Sequence, residues 1–200
     1  MAQANTLFTT AEAADLAETS PRAVEKAIEE GIVEVRRAPA SKASGRRRRL
    51  LSAESIYYMA FLKKCDLQLS KKHKHHLWGW FKQTPSSRLL TARCRLLPGV
   101  DIKPGEVLRP IRNRVTWYAG ARRRWIEINP KVKGGTPVIK GTRVSVYSVA
   151  GRLDHGESVD DIVKDNPDLP RDAIEAAAAY ARANPLVGRP GARLWRTQAR

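Results

Sequence analysis

The stretch that most constrains the fold is residues 134–143, Gly-Gly-Thr-Pro-Val-Ile-Lys-Gly-Thr-Arg, which predicts a tight β-hairpin. Pro137 has a fixed φ and no N–H, so it suits the start of an edge strand, and two β-branched residues follow it. Gly141 can adopt the positive φ that a two-residue turn requires. We expect the chain to return as a strand over residues 142–146.

Three helices are predicted after this hairpin. The first begins at Ser145, a preferred N-cap residue, and ends near Gly156. The second begins with a capping box in which Asp161 takes the place of the usual Glu after Ser158. The third begins near Pro170 and continues through an alanine-rich stretch, because Pro is favoured at a helix start and Ala has the highest helix propensity.

Residues 129–184 resemble a small helical family of prokaryotic antitoxins, the VapB-like group whose pattern includes Gly-Gly-x-Pro-Val-Ile-x-Gly-Thr-Arg. The matching elements here are Pro130, residues 134–144, Leu153, Gly156, Ser158, Pro167, Leu169, Ala178, Tyr180 and Ala181. The resemblance implies a helix-turn-helix-like domain. It also implies an antitoxin that neutralises a PIN-like ribonuclease toxin encoded beside it and represses its own operon.

The positive charge of the chain is unevenly distributed. The formal net charge is +17, yet residues 129–185 hold eight basic and eight acidic residues. Residues 1–128 carry 13 more basic than acidic residues, and residues 186–200 hold four Arg and no acid. Such asymmetry predicts a polyanionic partner for the first part of the chain or for its tail, and nucleic acid is the partner we favour over a general role in solubility.

The N-terminal residues predict two short helices joined by a tight turn, the pattern of a helix-turn-helix. A threonine of the Thr9-Thr10 pair caps the first helix, Ser20-Pro21 begins the second and Gly31 ends it. A strand is expected over residues 32–36, and a basic β-wing over residues 33–51. This order resembles the winged helix-turn-helix of the MerR and excisionase-like group, in which the second helix enters the major groove and the wing touches the backbone.

The residues expected to contact DNA are the basic groups of the second helix and the wing. Arg22 and Lys26 are four residues apart and share a helix face, while Glu25, Glu29 and Glu30 are expected to face away from the DNA. A helical hairpin that binds no DNA is the alternative. The complete predicted set is Ser20, Arg22, Lys26, Arg36, Arg37, Lys42, Arg46, Arg47, Arg48 and Arg49.

The middle of the chain predicts two more helices, residues 52–65 and 70–83, whose aromatic residues we assign to a core rather than to a dimer interface. His73 and His76 are three residues apart, but they lack a third ligand at usable spacing, so no metal site is expected. Pro-Gly pairs mark turns between residues 89 and 115, and strands are expected around Trp117-Tyr118 and over residues 125–128.

Several function classes find no support in the sequence. The chain has no run of 18 apolar residues, and Met1–Thr10 lacks the features of a secretory signal. Cys65 and Cys94 lack metal or redox spacing and are expected to stay reduced in a cytoplasm. There is no nucleotide-binding loop or nucleophile elbow, so we expect no enzymatic activity and no cofactor.

The sequence therefore predicts a mainly α protein with small β-hairpins: a winged helix-turn-helix (1–51), a connecting and possible dimerisation segment (52–128), an antitoxin-like helical domain (129–184) and a flexible basic tail (185–200). The predicted function is a DNA-binding antitoxin of a type II toxin–antitoxin pair that acts as a homodimer or larger even oligomer on operator DNA in the cytoplasm. Residues of the tail are expected to bind the toxin: Arg193, Leu194, Trp195, Arg196 and Arg200. The alternatives are a transcriptional or architectural DNA-binding protein without a toxin, and a C-terminal domain that itself reads DNA.

Overall fold

The computed structural model describes residues 6–37 and 49–186, and it is mainly helical with small antiparallel sheets. The predicted fold class is confirmed. The chain divides between Arg124 and Trp125 into two compact units.

The first unit contains a small sheet, two helix pairs, a second β-hairpin and one long helix. The sheet has the order β1-β3-β2 with antiparallel neighbours, and Leu50 of its middle strand pairs with Thr9 and Arg36. The elements in chain order are β1 (Phe8–Thr9), α1 (Thr10–Leu16), α2 (Pro21–Glu29), β2 (Arg36–Arg37), β3 (Arg49–Leu51), α3 (Ala53–Lys64), α4 (Lys71–Gln83), β4 (Cys94–Leu97), β5 (Val100–Ile102) and α5 (Gly105–Trp125).

Aromatic side chains of α3 and α4 form part of the core of this unit. The Tyr58 ring meets Trp78 and Phe81 edge-on, with centroids 5.7 and 5.9 Å away. All three side chains are buried, and edge-to-face pairs add about 0.5–1.5 kcal/mol to the stabilisation that comes from burial alone. These aromatic residues are therefore core residues, as the sequence predicted.

The prediction of a strand around Trp117-Tyr118 is wrong, because both residues lie in the 21-residue helix α5. The Pro104-Gly105 pair, expected to form a turn, instead precedes and begins this helix, and Pro110 lies inside it. The helical spacing of its buried residues gives the physical reason: Leu108, Ile111, Val115, Tyr118 and Ala119 recur at intervals of three or four and bury one stripe.

The strand predicted over residues 32–36 is also mostly wrong, since only Arg36 belongs to a strand. The N–H groups of Ile32 and Val33 donate instead to the Ala27 carbonyl at 3.0 and 3.2 Å. Together with Gly31 at φ +67°, these bonds form a Schellman-type end of α2. Ile32 and Val33 are buried, so their apolar character reflects helix termination and core packing rather than sheet pairing.

Gly105 should tolerate no side chain, because a Cβ there would overlap the backbone carbonyl of Leu90. We expect Gly105→Ala to lower the free energy of unfolding by about 1–3 kcal/mol, the usual effect of overpacking a buried site. Gly120→Ala is the matched control on the same helix, since a Cβ at Gly120 meets nothing within 4 Å; it should be neutral or stabilise by up to about 1 kcal/mol. Equal effects of the two changes in urea denaturation would contradict the assigned packing.

The second unit contains a two-stranded sheet and three helices. The sheet pairs β6 with β7 in antiparallel register, with Ile126 opposite Ile139. Helices α6 and α7 both pack on α8. The elements are β6 (Ile126–Glu127), a 3₁₀ turn (Lys133–Gly135), β7 (Val138–Ile139), α6 (Val146–Asp154), α7 (Val159–Asp165) and α8 (Arg171–Ala183).

The helix starts predicted for this unit are confirmed. Ser145 caps α6, its hydroxyl accepting from the Ser148 N–H at 3.0 Å, and Ser158 and Asp161 form the capping box of α7. Gly141 and Gly156 adopt φ of +78° and +93°. The returning strand of the hairpin is wrong, because β7 takes β6 as its strand partner and the stretch after Gly141 contributes only a single bridge at Ser145 before α6 begins.

Within the residues that the structure describes, no helix combines the length and the apolar character needed to cross a membrane.

Candidate nucleic-acid interface

Helix α1 is fixed at both its start and its buried face. Its capping box is complete, since the Thr9 N–H donates to Glu12 at 2.8 Å while the Glu12 N–H donates to Thr9 Oγ1 at 3.2 Å. The Glu12 carboxylate, with a side chain 2% exposed, also accepts from Tyr118 Oη at 2.7 Å and from Arg122 Nη1 at 2.8 Å to each oxygen. Glu12 therefore joins α1 to α5.

The Arg122 guanidinium completes this buried network. It donates to the Leu7 carbonyl at 2.9 Å, and its central carbon lies 5.3 Å from the centroid of the Phe8 ring. A planar guanidinium can make these hydrogen bonds and ring contacts at the same time, which an ammonium group cannot. We call Glu12, Tyr118 and Arg122 the α1–α5 anchor.

The turn between α1 and α2 is held by ion pairs. Glu18 adopts φ +54°, which is uncommon for a residue with a side chain. Its carboxylate pairs with Lys64 of α3 and Arg114 of α5. The hydrogen bond from Lys64 contributes most, and that from Arg114 next, to a pKa of Glu18 below its ordinary value. Arg114 also donates to the Leu16 carbonyl at 2.8 Å. The angle at which α2 leaves α1 is thus defined by contacts with two other helices.

Helix α2 presents its predicted basic residues to solvent. The Ser20 hydroxyl accepts from the Ala23 N–H at 3.1 Å, so this side chain caps the helix. Arg22 is exposed, and it makes no ion pair with any residue of the described ranges 6–37 and 49–186. The Lys26 side chain is 74% exposed and lies 3.8 Å from Glu30. Val24, on the opposite face, is fully buried.

The expectation that the three glutamates of α2 face away from Arg22 and Lys26 is wrong. With about 100° between successive helix residues, Glu29 lies roughly 20° from Arg22 on the side away from Lys26, so it shares their face, and it is exposed. Glu25 and Glu30 flank the same face, each paired with a basic residue. The exposed face of α2 therefore carries three glutamates against two basic residues, so it has no net positive charge.

The strands of the predicted wing are present. Arg37 pairs with Arg49 across β2 and β3 in antiparallel register. The Arg49 guanidinium lies 3.4 Å from the Glu25 carboxylate, and this contact places the base of the wing beside α2. Arg36 is exposed. The other predicted wing residues, Lys42, Arg46, Arg47 and Arg48, lie outside the described residues, as do the predicted toxin-binding residues Arg193, Leu194, Trp195, Arg196 and Arg200.

His73 and His76 each make a hydrogen bond within the first unit, and Cys94 is buried. His73 Nδ1 lies 2.9 Å from Ser70 Oγ, and His76 Nε2 lies 2.8 Å from the Arg95 carbonyl oxygen. Burial raises the pKa of the Cys94 thiol to about 11, and Asp101 adds to the shift. In the part of the chain that the structure describes, no group of three His, Cys, Asp or Glu side chains could hold a metal ion.

Two sets of residues were not anticipated from the sequence. The α1–α5 anchor joins Glu12 to residues more than 100 positions later, and no local pattern indicates such a contact. Three lysines from three different helices, Lys26, Lys63 and Lys74, line one cavity. Only the fold brings either set together.

Comparison with known proteins gives a family match for the second unit. Residues 126–181 match the family described as a protein of unknown function, DUF433. A region of 90 residues, 45% of the chain, is 40% identical to the uncharacterized protein y4eO of Sinorhizobium fredii (strain NBRC 101917 / NGR234) and spans 39% of that protein. The crystal structure of Rv2018 from Mycobacterium tuberculosis is similar over 88% of this chain and 98% of its own, at 16% identity and a TM-score of 0.43, which is too low to carry an argument.

Proposed function

We propose that the protein is a DNA-binding antitoxin whose first unit binds operator DNA and whose C-terminal region engages a ribonuclease toxin. The observation that carries the DNA-binding part is the contact between Arg49 of the wing and Glu25 of α2. This contact puts the base of an arginine-rich wing beside α2, whose basic residues are exposed and whose start follows the turn held by Glu18. This is the arrangement by which winged helix-turn-helix proteins place one element in the major groove and another on the backbone.

The charges suggest different roles for α2 and for the wing in DNA binding. Arg22 and Lys26 are exposed on α2, but Glu29 beside Arg22 on the same face opposes phosphate. Helix α2 would therefore contribute mainly base contacts, for which Arg is suited through bidentate bonds to guanine. The wing, with Arg46 to Arg49 in succession, would supply most of the phosphate neutralisation. Reading of a palindromic operator would require a homodimer or larger even assembly.

Arg22→Ala tests the base-reading role of α2. We expect it to weaken binding to the specific operator by about 1–3 kcal/mol, with a much smaller loss on random DNA. Fluorescence anisotropy at fixed salt measures both affinities. Arg109→Ala, an exposed arginine of α5, removes the same charge elsewhere and is the control. An equal loss on operator and random DNA would place Arg22 on phosphate rather than on a base.

The antitoxin part of the proposal is supported by the sequence of the second unit. The DUF433 match spans residues 126–181, which coincide with the segment that resembles the antitoxins. The tail after it adds a Leu-Trp-Arg sequence among further arginines. Trp and Arg are the residue types most enriched at binding hot spots. PIN-like ribonucleases carry an acidic metal-binding cleft, to which a basic tail is complementary.

Co-expression with the adjacent open reading frame tests this part. We expect the two products to copurify, and deletion of residues 186–200 to abolish neutralisation of the toxin while leaving operator binding intact. Weaker operator binding with full neutralisation would instead assign the tail arginines to DNA and leave the toxin contact to residues 129–184. Specific operator binding without any toxin partner would favour the alternative, a stand-alone transcriptional or architectural protein.

A further inference from the structure

A cavity of about 290 Å³ lies between α2, α3 and α4 in the first unit. Its wall includes Ala27, Ile32, Met59 and Leu62, so much of its surface is apolar. Ile32 and Met59 are themselves buried residues of the core, 3% and 7% exposed. The wall is thus part of the packed structure.

Three lysines line the same cavity, one from each helix: Lys26, Lys63 and Lys74. Glu30, which also lines it, lies 3.8 Å from Lys26. Lys63 and Lys74 form no ion pair within the ranges 6–37 and 49–186, and the cavity lining carries three lysines against the one carboxylate of Glu30. Long lysine stems run along apolar surface while the ammonium groups stay at its wet edge. The cavity therefore combines an apolar interior with a positively charged rim.

We propose that this cavity binds a small amphipathic anion, a carboxylate with a short alkyl or aromatic body. The apolar body would lie against Met59 and Leu62, and the carboxylate would meet the ammonium groups of Lys63 and Lys74. The volume of about 290 Å³ is just below the roughly 300–1,000 Å³ typical of small-molecule sites, so the ligand must be small.

The composition of the wall distinguishes this ligand from a bare phosphate group. A hydrated phosphate would gain only the exposed lysine charges and would leave the apolar wall in contact with water. An alkyl carboxylate would interact with both the lysines and the apolar wall, and each CH₂ that it buries would stabilise the complex by about 0.8 kcal/mol. The site is distinct from the proposed DNA contacts except at Lys26, and its existence does not depend on the proposed function.

Octanoate is the probe, and binding to the full-length protein without DNA is measured by isothermal titration calorimetry. We expect saturable binding of octanoate and clearly weaker binding of octanol, which lacks the charge. The double change Lys63→Gln and Lys74→Gln should weaken octanoate binding by about fivefold or more, as expected for the loss of two partly exposed charge contacts. The matched control is the double change Lys71→Gln and Lys72→Gln. Both of these lysines are exposed residues of α4 that do not line the cavity.

Ala23→Leu gives a second, steric test, because Ala23 lines the cavity and is exposed, so the change should not disturb folding. It should reduce octanoate binding while the circular dichroism spectrum stays unchanged. The proposal is overturned by the absence of saturable binding. Equal octanoate affinity in the Lys63/Lys74 and Lys71/Lys72 variants would also overturn it, as would competition by inorganic phosphate as effective as that by octanoate itself.

Discussion

Arg122→Met is expected to destabilise the first unit by about 3–5 kcal/mol, because it removes the guanidinium that bonds both oxygens of the buried Glu12 carboxylate. Glu12 has a side chain only 2% exposed, and Arg122 supplies hydrogen bonds to both of its oxygens. Arg122→Lys should recover only part of the loss, since a single ammonium cannot reproduce the paired contacts and the bond to the Leu7 carbonyl. Tyr118→Phe should lower stability by about 1–2 kcal/mol through the loss of one hydrogen bond to a charged group.

Urea unfolding combined with hydrogen exchange of the α1 amides measures these effects. The exchange of the α1 amides reports the stability of the first unit separately from that of the second. Arg123→Met is the matched control, since Arg123 is exposed and adjacent to Arg122 in sequence. It should change stability by less than about 0.5 kcal/mol. Similar unfolding midpoints and α1 protection in the Arg122→Met and Arg123→Met variants would show that the α1–α5 anchor does not stabilise α1 and its neighbours.

Replacement of Arg46 to Arg49 by Ala is expected to cause the largest loss of DNA affinity. If all four contact phosphates, the slope of log K against log salt should fall by about 3–4 units, at about 0.9 for each contact. At 0.15 M salt this corresponds to a roughly hundredfold to thousandfold weaker affinity for operator and random DNA alike. Anisotropy titrations across a range of salt concentrations measure both quantities.

The tail offers a control with the same change of charge. Arg189, Arg193, Arg196 and Arg200 are the four arginines after residue 185, so their replacement by Ala also removes four positive charges. If the arginines of the wing bind DNA themselves, only the Arg46–Arg49 variant should lose DNA affinity. Equal losses in the two variants would mean that overall charge, rather than the wing, determines the affinity.

The elements that the sequence predicted well are those defined by neighbouring residues. The caps at Thr9, Ser20, Ser145 and Ser158 are confirmed because a capping hydroxyl bonds an N–H only two or three positions later. The end of α2 at Gly31 is confirmed for the same local reason. Secondary structure of this kind requires no knowledge of the rest of the fold.

The errors arose where a local signal competed with packing. The Pro104-Gly105 pair indicated a turn, yet the buried stripe from Leu108 to Tyr118 sustains α5 through that region. A stricter count of helical periodicity over residues 108–119 would have identified it. The same count would have placed Glu29 on the basic face of α2. The α1–α5 anchor and the lysine-lined cavity were beyond any such count, because their members come from separate elements.

The distance along the chain between Glu12 and Arg122, 110 residues, has a consequence for biosynthesis. Helices α1 and α2 emerge from the ribosome long before the guanidinium that neutralises the Glu12 carboxylate. At about 5–20 residues per second, this interval lasts roughly 5–20 s. During that time Glu12 lacks its contacts with Tyr118 and Arg122, so α1 and α2 should become fully protected from proteolysis only after α5 has been synthesised.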